Sequence, residues 1–346
     1  MRIFAHIVVL IVLALSGLVA TEAKAQGVAP APVQPSSQQE RQTGLPKETQ
    51  AMLDRLRQKM EREAEMAELF SRAHSLYEEG ATLSKKGDRK GAEVKFDLAR
   101  QTILSVEEEV FYEPGVREYF LKLSRDIAAL TADAALPFAP GNQISVADNG
   151  QVQRFIKYFR GKGWDGVRVA LGRLNRYEQM MRKVFREEGV PEDLIYLGLV
   201  ESAYNPYAQS VAGAAGIWQF VGGTGKRYGL KQSGALDERH DPEKSTRAAA
   251  RYLHDLYEMF GDWHLVLAGY NAGEYRVLKV IEKTGIKDFW HMSGQGLLPQ
   301  QTINYVPAVL AAIAIGKQGV ERNHVRRVAR TNSTKPAPEV GRESDW

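Results

Sequence analysis

The residue with the clearest chemical potential is Glu201, which ends an almost unbroken apolar run, Leu194-Ile195-Tyr196-Leu197-Gly198-Leu199-Val200. Asn205-Pro206 follows and must stop any helix there, because the residue before a proline is driven out of the helical region. A carboxyl so placed is pushed twice in one direction. Apolar surroundings disfavour its charged form, and so does the negative end of a helix dipole. A glutamic acid kept protonated near neutral pH can give a proton to a leaving oxygen. The competing reading turns Glu201 outward at the helix end, and spacing alone does not separate the two.

Two further segments carry polar groups among small residues. Ser210 precedes Gly213-Ala214-Ala215-Gly216-Ile217-Trp218-Gln219-Phe220, where backbone can come close to a ligand. Small residues beside aromatic rings suit a sugar groove, since sugars stack on rings and hydrogen-bond to fixed donors. The plainer alternative is a turn packed on a helical core. Later, Tyr270-Asn271-Ala272-Gly273 offers a hydroxyl and a two-sided amide at a helix break.

The elements that must position these groups read as helices. Pro191 opens a helix over Asp193–Tyr204. Others are expected over Val152–Phe159, Val167–Glu188, Ser245–Phe260, Trp263–Tyr270, Gly273–Lys283 and Ile303–Gly316, with no sustained strand alternation. Upstream, residues 48–135 carry apolar residues at three- and four-residue spacing, turned at Gly87-Asp88. This hairpin is tetratricopeptide-like, but a single unit is weak evidence, because such repeats stack. We read 48–135 as a helical prefix packing on the catalytic domain, with a partner-binding module as the second reading. The domain itself is placed at 140–320.

The ends differ in composition. Residues 1–25 combine Arg2, an apolar run over Ile7–Leu18 and Ala23-Lys24-Ala25, which together read as a cleavable signal peptide. Residues 26–47, rich in Ala, Pro, Gln and Ser, read as a disordered linker, and 321–346 as a disordered tail. The 346 residues contain no cysteine, which excludes disulfides, thiolate metal sites and a lipidated cysteine. Net charge is +4, a mild balance that suits an anionic polymer without singling one out. No metal-ligand cluster or phosphate loop appears, so no cofactor, no metal and no nucleic-acid partner is expected, nor stable membrane insertion once the leader is cleaved.

In this order, Glu201-Ser202-Ala203-Tyr204-Asn205-Pro206, Gly213-Ala214-Ala215-Gly216-Ile217-Trp218-Gln219-Phe220 and Tyr270-Asn271-Ala272-Gly273 resemble the catalytic domain of the soluble-type lytic transglycosylases. The nearest branch is that of the D-type membrane-bound murein transglycosylase. The lead-in Val190–Leu197 and the closing Tyr305-Val306-Pro307 match it too. The resemblance implies an all-α, lysozyme-like (goose-type) domain that cleaves the β-1,4 bond between N-acetylmuramic acid and N-acetylglucosamine. It implies a periplasmic or cell-envelope protein acting on peptidoglycan glycan strands. The matching glutamate there is both acid and base, so that role falls on Glu201. Ser210, Gln219, Tyr270 and Asn271 match groove positions, and Tyr305 and Gln301 are assigned to substrate binding with them. Two departures stand out: Gln301 replaces a glutamate, and Gly222-Gly223 replaces Pro-Ser.

Two rival functions remain at this point. A hydrolytic goose-type lysozyme needs a second carboxylate to hold water, for which Asp262 and Glu274 are candidates. A non-catalytic wall-binding scaffold would work through the prefix instead.

Overall fold

The structure is a computed structural model that describes residues 46–131, 144–234 and 236–333. The expected leader, most of the linker, the Leu136-Pro137 boundary and the last thirteen residues of the expected tail lie outside these. The chain divides into two compact units, Met1–Gln58 and Lys59–Trp346. In the first, the described residues are exposed and belong to the start of helix α1 (Lys47–Lys85).

Among its described residues the second unit is mainly helical, with one short antiparallel ladder, β1 (Gln232–Ser233) with β2 (Leu236–Asp237). The prefix continues after α1 with α2 (Arg89–Leu104), α3 (Glu108–Phe111) and α4 (Val116–Leu130). The turn expected at Gly87-Asp88 is there, and Asp88 caps α2 by accepting from Gly91 N at 2.9 Å. Phe96, Ile103, Phe111, Phe120 and Ile127 form the prefix core, and Leu278 of the following domain is buried in the same cluster. The prefix therefore shares a core with the domain it precedes.

That domain runs through α5 (Gly150–Arg160), α6 (Trp164–Leu174), α7 (Glu178–Glu187), a 3₁₀ turn (Glu192–Tyr196), α8 (Leu197–Ser202) and α9 (Gly222–Arg227). After the ladder come α10 (Pro242–Phe260), α11 (Trp263–Ala272), α12 (Glu274–Thr284), α13 (Phe289–Gly294) and α14 (Gln300–Ser333). Helix α10 begins as helix-start chemistry dictates: Asp241 accepts from Glu243 N and Lys244 N, and Pro242 occupies the first turn, where no N–H is missed. Helix α11 is buried on nearly all sides, with Leu265, Val266, Leu267 and Ala268 in the core, so it runs through the middle of the domain. Helix α14 packs beside it through Val306, Val309, Leu310 and Ile313. A Cβ on Gly316 would come within 2.1 Å of the Tyr196 ring, so only glycine lets α14 lie this close to the turn leading into α8.

Three expectations need adjustment. The helix expected over Val167–Glu188 is two helices, broken at Asn175–Tyr177. The helix expected over Asp193–Tyr204 opens as 3₁₀ and ends at Ser202, because Ala203 and Tyr204 both take positive φ (50° and 56°). Helix α14 continues to Ser333, into the segment read as a tail; Glu321–Ala329 holds neither Gly nor Pro to end it.

Candidate active site

Glu201 sits on the last turn of α8, and the left-handed pair behind it sets its direction. Each non-glycine residue in that conformation costs about 1–3 kcal/mol, so it persists only where the surroundings enforce it. Here they do. The Tyr204 side chain folds back under α8, fully buried, and its hydroxyl donates to Ile195 O at 3.1 Å. Arg173 Nη1 donates to Ala203 O at 3.2 Å, and Ser202 Oγ to Ile217 O at 2.9 Å. The last bond ties the glutamate helix to the glycine-rich loop.

That loop folds on itself. Ala215 and Phe220 exchange backbone hydrogen bonds at 3.0 and 3.1 Å, and Ser210 N donates to Ala214 O at 2.9 Å. Gly216, at φ +81°, lets the chain pass against Arg239 O. Arg239 is largely buried and donates to Gly213 O at 2.7 Å and Phe220 O at 2.9 Å while paired with Asp237. Sequence reasoning missed it, because its partners lie 19 and 26 residues away.

The groups around the Glu201 carboxyl come from three distant segments. Tyr305 Oη, on α14, donates to Glu201 Oε1. Tyr270 Oη, on α11, donates to Trp218 O at 2.8 Å, next to Gln219. Burial raises the Tyr270 and Tyr305 hydroxyls well above the ordinary tyrosine range, and negative charge on Glu201 raises them further. Glu201 itself is densely surrounded yet keeps some open surface, as a group that must meet a substrate requires. Burial pushes its carboxyl up to about 7, against the Tyr305 hydrogen bond, which favours the charged form. The dipole of a six-residue helix adds less than the sequence reading supposed. A group titrating near 7 holds a proton and can release it at neutral pH, which suits it to act as acid and base in turn.

The remaining site candidates fall into place unequally. Gln219 has positive φ (50°), and its amide donates to Gly216 O at 2.8 Å. Asn271 Oδ1 accepts from Thr302 Oγ1 at 2.9 Å, which fixes the amide's orientation from α14. Gln301 is exposed, one helical turn before Tyr305 and so on the same face of α14. Ser210 is exposed at the loop tip, its hydroxyl accepting from Ala214 N at 3.0 Å, so its first role is to shape the loop. The rings of this loop are not a sugar platform. Trp218 is completely buried with its Nε1 donating to Thr246 Oγ1 at 3.0 Å, and Phe220 is buried beside it. Flanking small residues reflect packing there.

Both candidates for a second carboxylate have structural roles. Asp262 caps α11 by accepting from Leu265 N at 2.9 Å. Glu274 is buried, bonded to Arg117 Nε at 2.6 Å and to Tyr252 Oη at 2.8 Å. Among the described residues, His254, Asp255 and Glu258 lie close enough to share a cation. However, Asp255 already takes hydrogen bonds from Tyr228 and Arg117, and Arg125 grips both oxygens of Glu258.

Residues 179–293 match the family model described as Transglycosylase SLT domain. This segment is an SLT domain. It contains Glu201, the glycine-rich loop and Tyr270-Asn271, and it stops short of Tyr305. The chain is 38% identical over 175 residues to membrane-bound lytic murein transglycosylase D of Escherichia coli K12, covering 49% of this chain and 37% of that protein. It is 28% identical over 172 residues to membrane-bound lytic murein transglycosylase C of Haemophilus ducreyi, covering 46% and 45%. Over 104 residues it is 36% identical to the peptidoglycan transglycosylase gp16 of phage T7, covering 29% and 8%. The chain thus spans little more than a third of the curated relatives it matches over the longest stretch. Among solved structures, the 70 kDa soluble lytic transglycosylase of Escherichia coli aligns at a TM-score of 0.37 and 19% identity, covering 70% of this chain and 45% of that one. The mostly helical architecture expected from the sequence is the one observed, and the SLT domain carries the site.

Tyr305 offers a direct check on the electrostatics of the SLT domain. Its hydrogen bond stabilises the carboxylate, so Tyr305→Phe should raise the Glu201 pKa above about 7. Where activity needs the protonated acid, the alkaline limb of the pH–rate profile moves up in Tyr305→Phe, and kcat at the optimum falls by roughly tenfold. An unshifted alkaline limb would show that the bond does not tune Glu201.

Proposed function

We propose that this protein cleaves the β-1,4 bond between N-acetylmuramic acid and N-acetylglucosamine of peptidoglycan without water, leaving 1,6-anhydromuramic ends. The observation that carries this reading is the Glu201 carboxyl, held near neutral pKa against Tyr305, while among the described residues Glu274 is committed to Arg117 and Tyr252 and Asp262 caps α11. Hydrolytic glycosidases of either stereochemistry use two carboxyl groups across the bond. One carboxyl suffices when the nucleophile is already part of the substrate.

Glu201 protonates the glycosidic oxygen as the C1–O bond of the muramic sugar breaks. Its carboxylate then takes the proton of that sugar's 6-hydroxyl, whose oxygen closes onto C1. The proton lost in the first half returns in the second, so the enzyme ends as it began. Intramolecular closure carries a large proximity advantage over capture of water. Tyr305 donates to the carboxylate in the interval when it is charged, and the 2-acetamido oxygen of the substrate steadies the cationic carbon. Gln219, Tyr270 and Asn271 bind the glycan strand nearest the acid, with Gln301 and the Ser210 loop at its edges. Murein lies outside the cytoplasm, so the protein acts in the periplasm or cell envelope, exported by the cleavable leader read in residues 1–25. No helix among the described residues is long and apolar enough to cross a membrane.

Mass spectrometry of muropeptides released from purified sacculi tests the reaction. Anhydromuramic ends are expected. Reducing ends instead would identify a goose-type hydrolase, and no release at all a wall-binding protein.

A further inference from the structure

The prefix does more than cover the SLT domain. Arg117 of α4 is 2% exposed, and its three nitrogens reach three separate places. Nε donates to Glu274 Oε1 at 2.6 Å, Nη1 to Asp255 Oδ2 at 3.2 Å and Nη2 to Tyr228 Oη at 2.8 Å. Glu274, 1% exposed, opens α12 directly after the Tyr270–Gly273 segment. Its two oxygens face opposite ways in function: one meets the prefix, and the other accepts from Tyr252 Oη at 2.8 Å. The Tyr252 ring lies 5.2 Å from the Tyr270 ring, centroid to centroid. Tyr270 in turn holds Trp218 O beside Gln219.

We propose that Arg117, acting through Glu274 and Tyr252, is a positioning residue for the Glu201 centre, so that the prefix and the SLT domain work as one catalytic unit. This rests on the enzymatic reading of Glu201 given above. A buried carboxylate keeps its charge and orientation only while a counter-charge and donors hold it. Arg117 is the closest cation, and Arg227 stands 3.7 Å off. Without Arg117 the Glu274 carboxyl is free to turn, and the hydroxyl of Tyr252 loses its acceptor at 2.8 Å. The ring that backs Tyr270 is then free to shift. Other prefix bonds anchor α12 as well: Tyr275 Oη donates to Val106 O at 2.7 Å, and Lys279 Nζ to Leu104 O at 3.2 Å. Displacements of about 1 Å at a reacting centre can cost about 10²-fold in rate.

Tyr252→Phe separates positioning from docking, because it deletes the hydroxyl and leaves the Arg117–Glu274 pair and the ring volume in place. With the full chain acting on sacculi, kcat is expected to fall by about tenfold to 10²-fold, with KM changed less than about twofold. Arg117→Lys, which keeps the charge but cannot span three partners, should follow it. Arg125→Ala removes an exposed clasp on Glu258 outside this chain of contacts, and should leave kcat unchanged. A carboxyl ¹³C titration of Glu201 gives a readout that needs no substrate, and its midpoint should move in Tyr252→Phe. Wild-type kcat and an unmoved midpoint in Tyr252→Phe would overturn the proposal, as would an Arg125→Ala loss equal to that of Arg117→Lys. Wild-type protein that releases nothing from sacculi would sink the enzymatic reading alone, and the titration then decides this one.

Discussion

Glu201→Gln should abolish muropeptide release, by at least about 10³-fold in kcat, and at the same time make the protein more stable above neutral pH. The loss follows from the proposed reaction, in which an amide can neither donate the proton that the leaving oxygen needs nor take one from the 6-hydroxyl. The gain follows from linkage. The folded carboxyl titrates at about 7, against an ordinary value of 4.5. Between those two pH values the folded state holds a proton that the unfolded chain has released. Stability therefore falls as pH rises through that window, by about 3 kcal/mol in full once pH exceeds 7. Below 4.5 both states are protonated and the penalty vanishes. Glutamine keeps an oxygen for Tyr305 to donate to and never ionises, so the variant escapes the loss. Urea denaturation at pH 4 and pH 8 measures it: the two proteins should agree at pH 4, and the variant should be ahead at pH 8. A variant that is inactive and also less stable at pH 8 would mean that Glu201 is held charged, contrary to the acid role. A variant with wild-type release would remove Glu201 from the reaction altogether.

The largest expected loss of stability lies at Gly216. Its φ of +81° is unfavourable for any side chain, and a Cβ there would sit 1.9 Å from Arg239 O, a backbone atom that cannot swing aside. Gly216→Ala must therefore bear both left-handed strain and a clash, about 3–5 kcal/mol together. Gly213 makes the contrast: its φ is +78°, but nothing lies within 4 Å of a Cβ built on it. Gly213→Ala should cost about 1 kcal/mol, from backbone conformation alone. Unfolding midpoints of the two variants, measured side by side, isolate the close approach. Equal losses would show that the loop can open around Arg239 without cost. Because Gly216 N also donates to Ala208 O at 2.9 Å, and Ile217 O receives Ser202 Oγ, opening the loop would reach Glu201's own helix. Gly216→Ala should accordingly lose activity even at temperatures where it stays folded.

Tyr252→Phe and Glu201→Gln together probe the site from two directions. One removes the acid and leaves its surroundings in place; the other leaves the acid and loosens what stands behind Tyr270. If both lower kcat and only Glu201→Gln abolishes the stability loss between pH 4 and pH 8, the distinction between the reacting group and its scaffold is measured directly.

Much of this protein is written in short-range pattern. Helical spacing of apolar residues, the Gly87-Asp88 turn and the Asp241-Pro242 start depend on neighbours within a turn or two, so the chain's own order displays them. Glu201 stood out for the same reason, as a lone carboxyl at the end of an apolar run before Asn205-Pro206. What pattern could not decide was which way side chains face and whom they meet. Trp218 read equally well as a platform for sugar or as core, and packing around α10 settled it as core through Thr246. Glu274 reads as a candidate carboxylate for water, yet Arg117, 157 residues away, lies against it. Tyr305 reaches Glu201 across 104 residues. Burial, pKa and hydrogen-bond choice are properties of surroundings assembled from remote segments. Local sequence places most of the helices; only their packing decides that one carboxyl lies near tyrosine hydroxyls in a site dry enough to keep its proton.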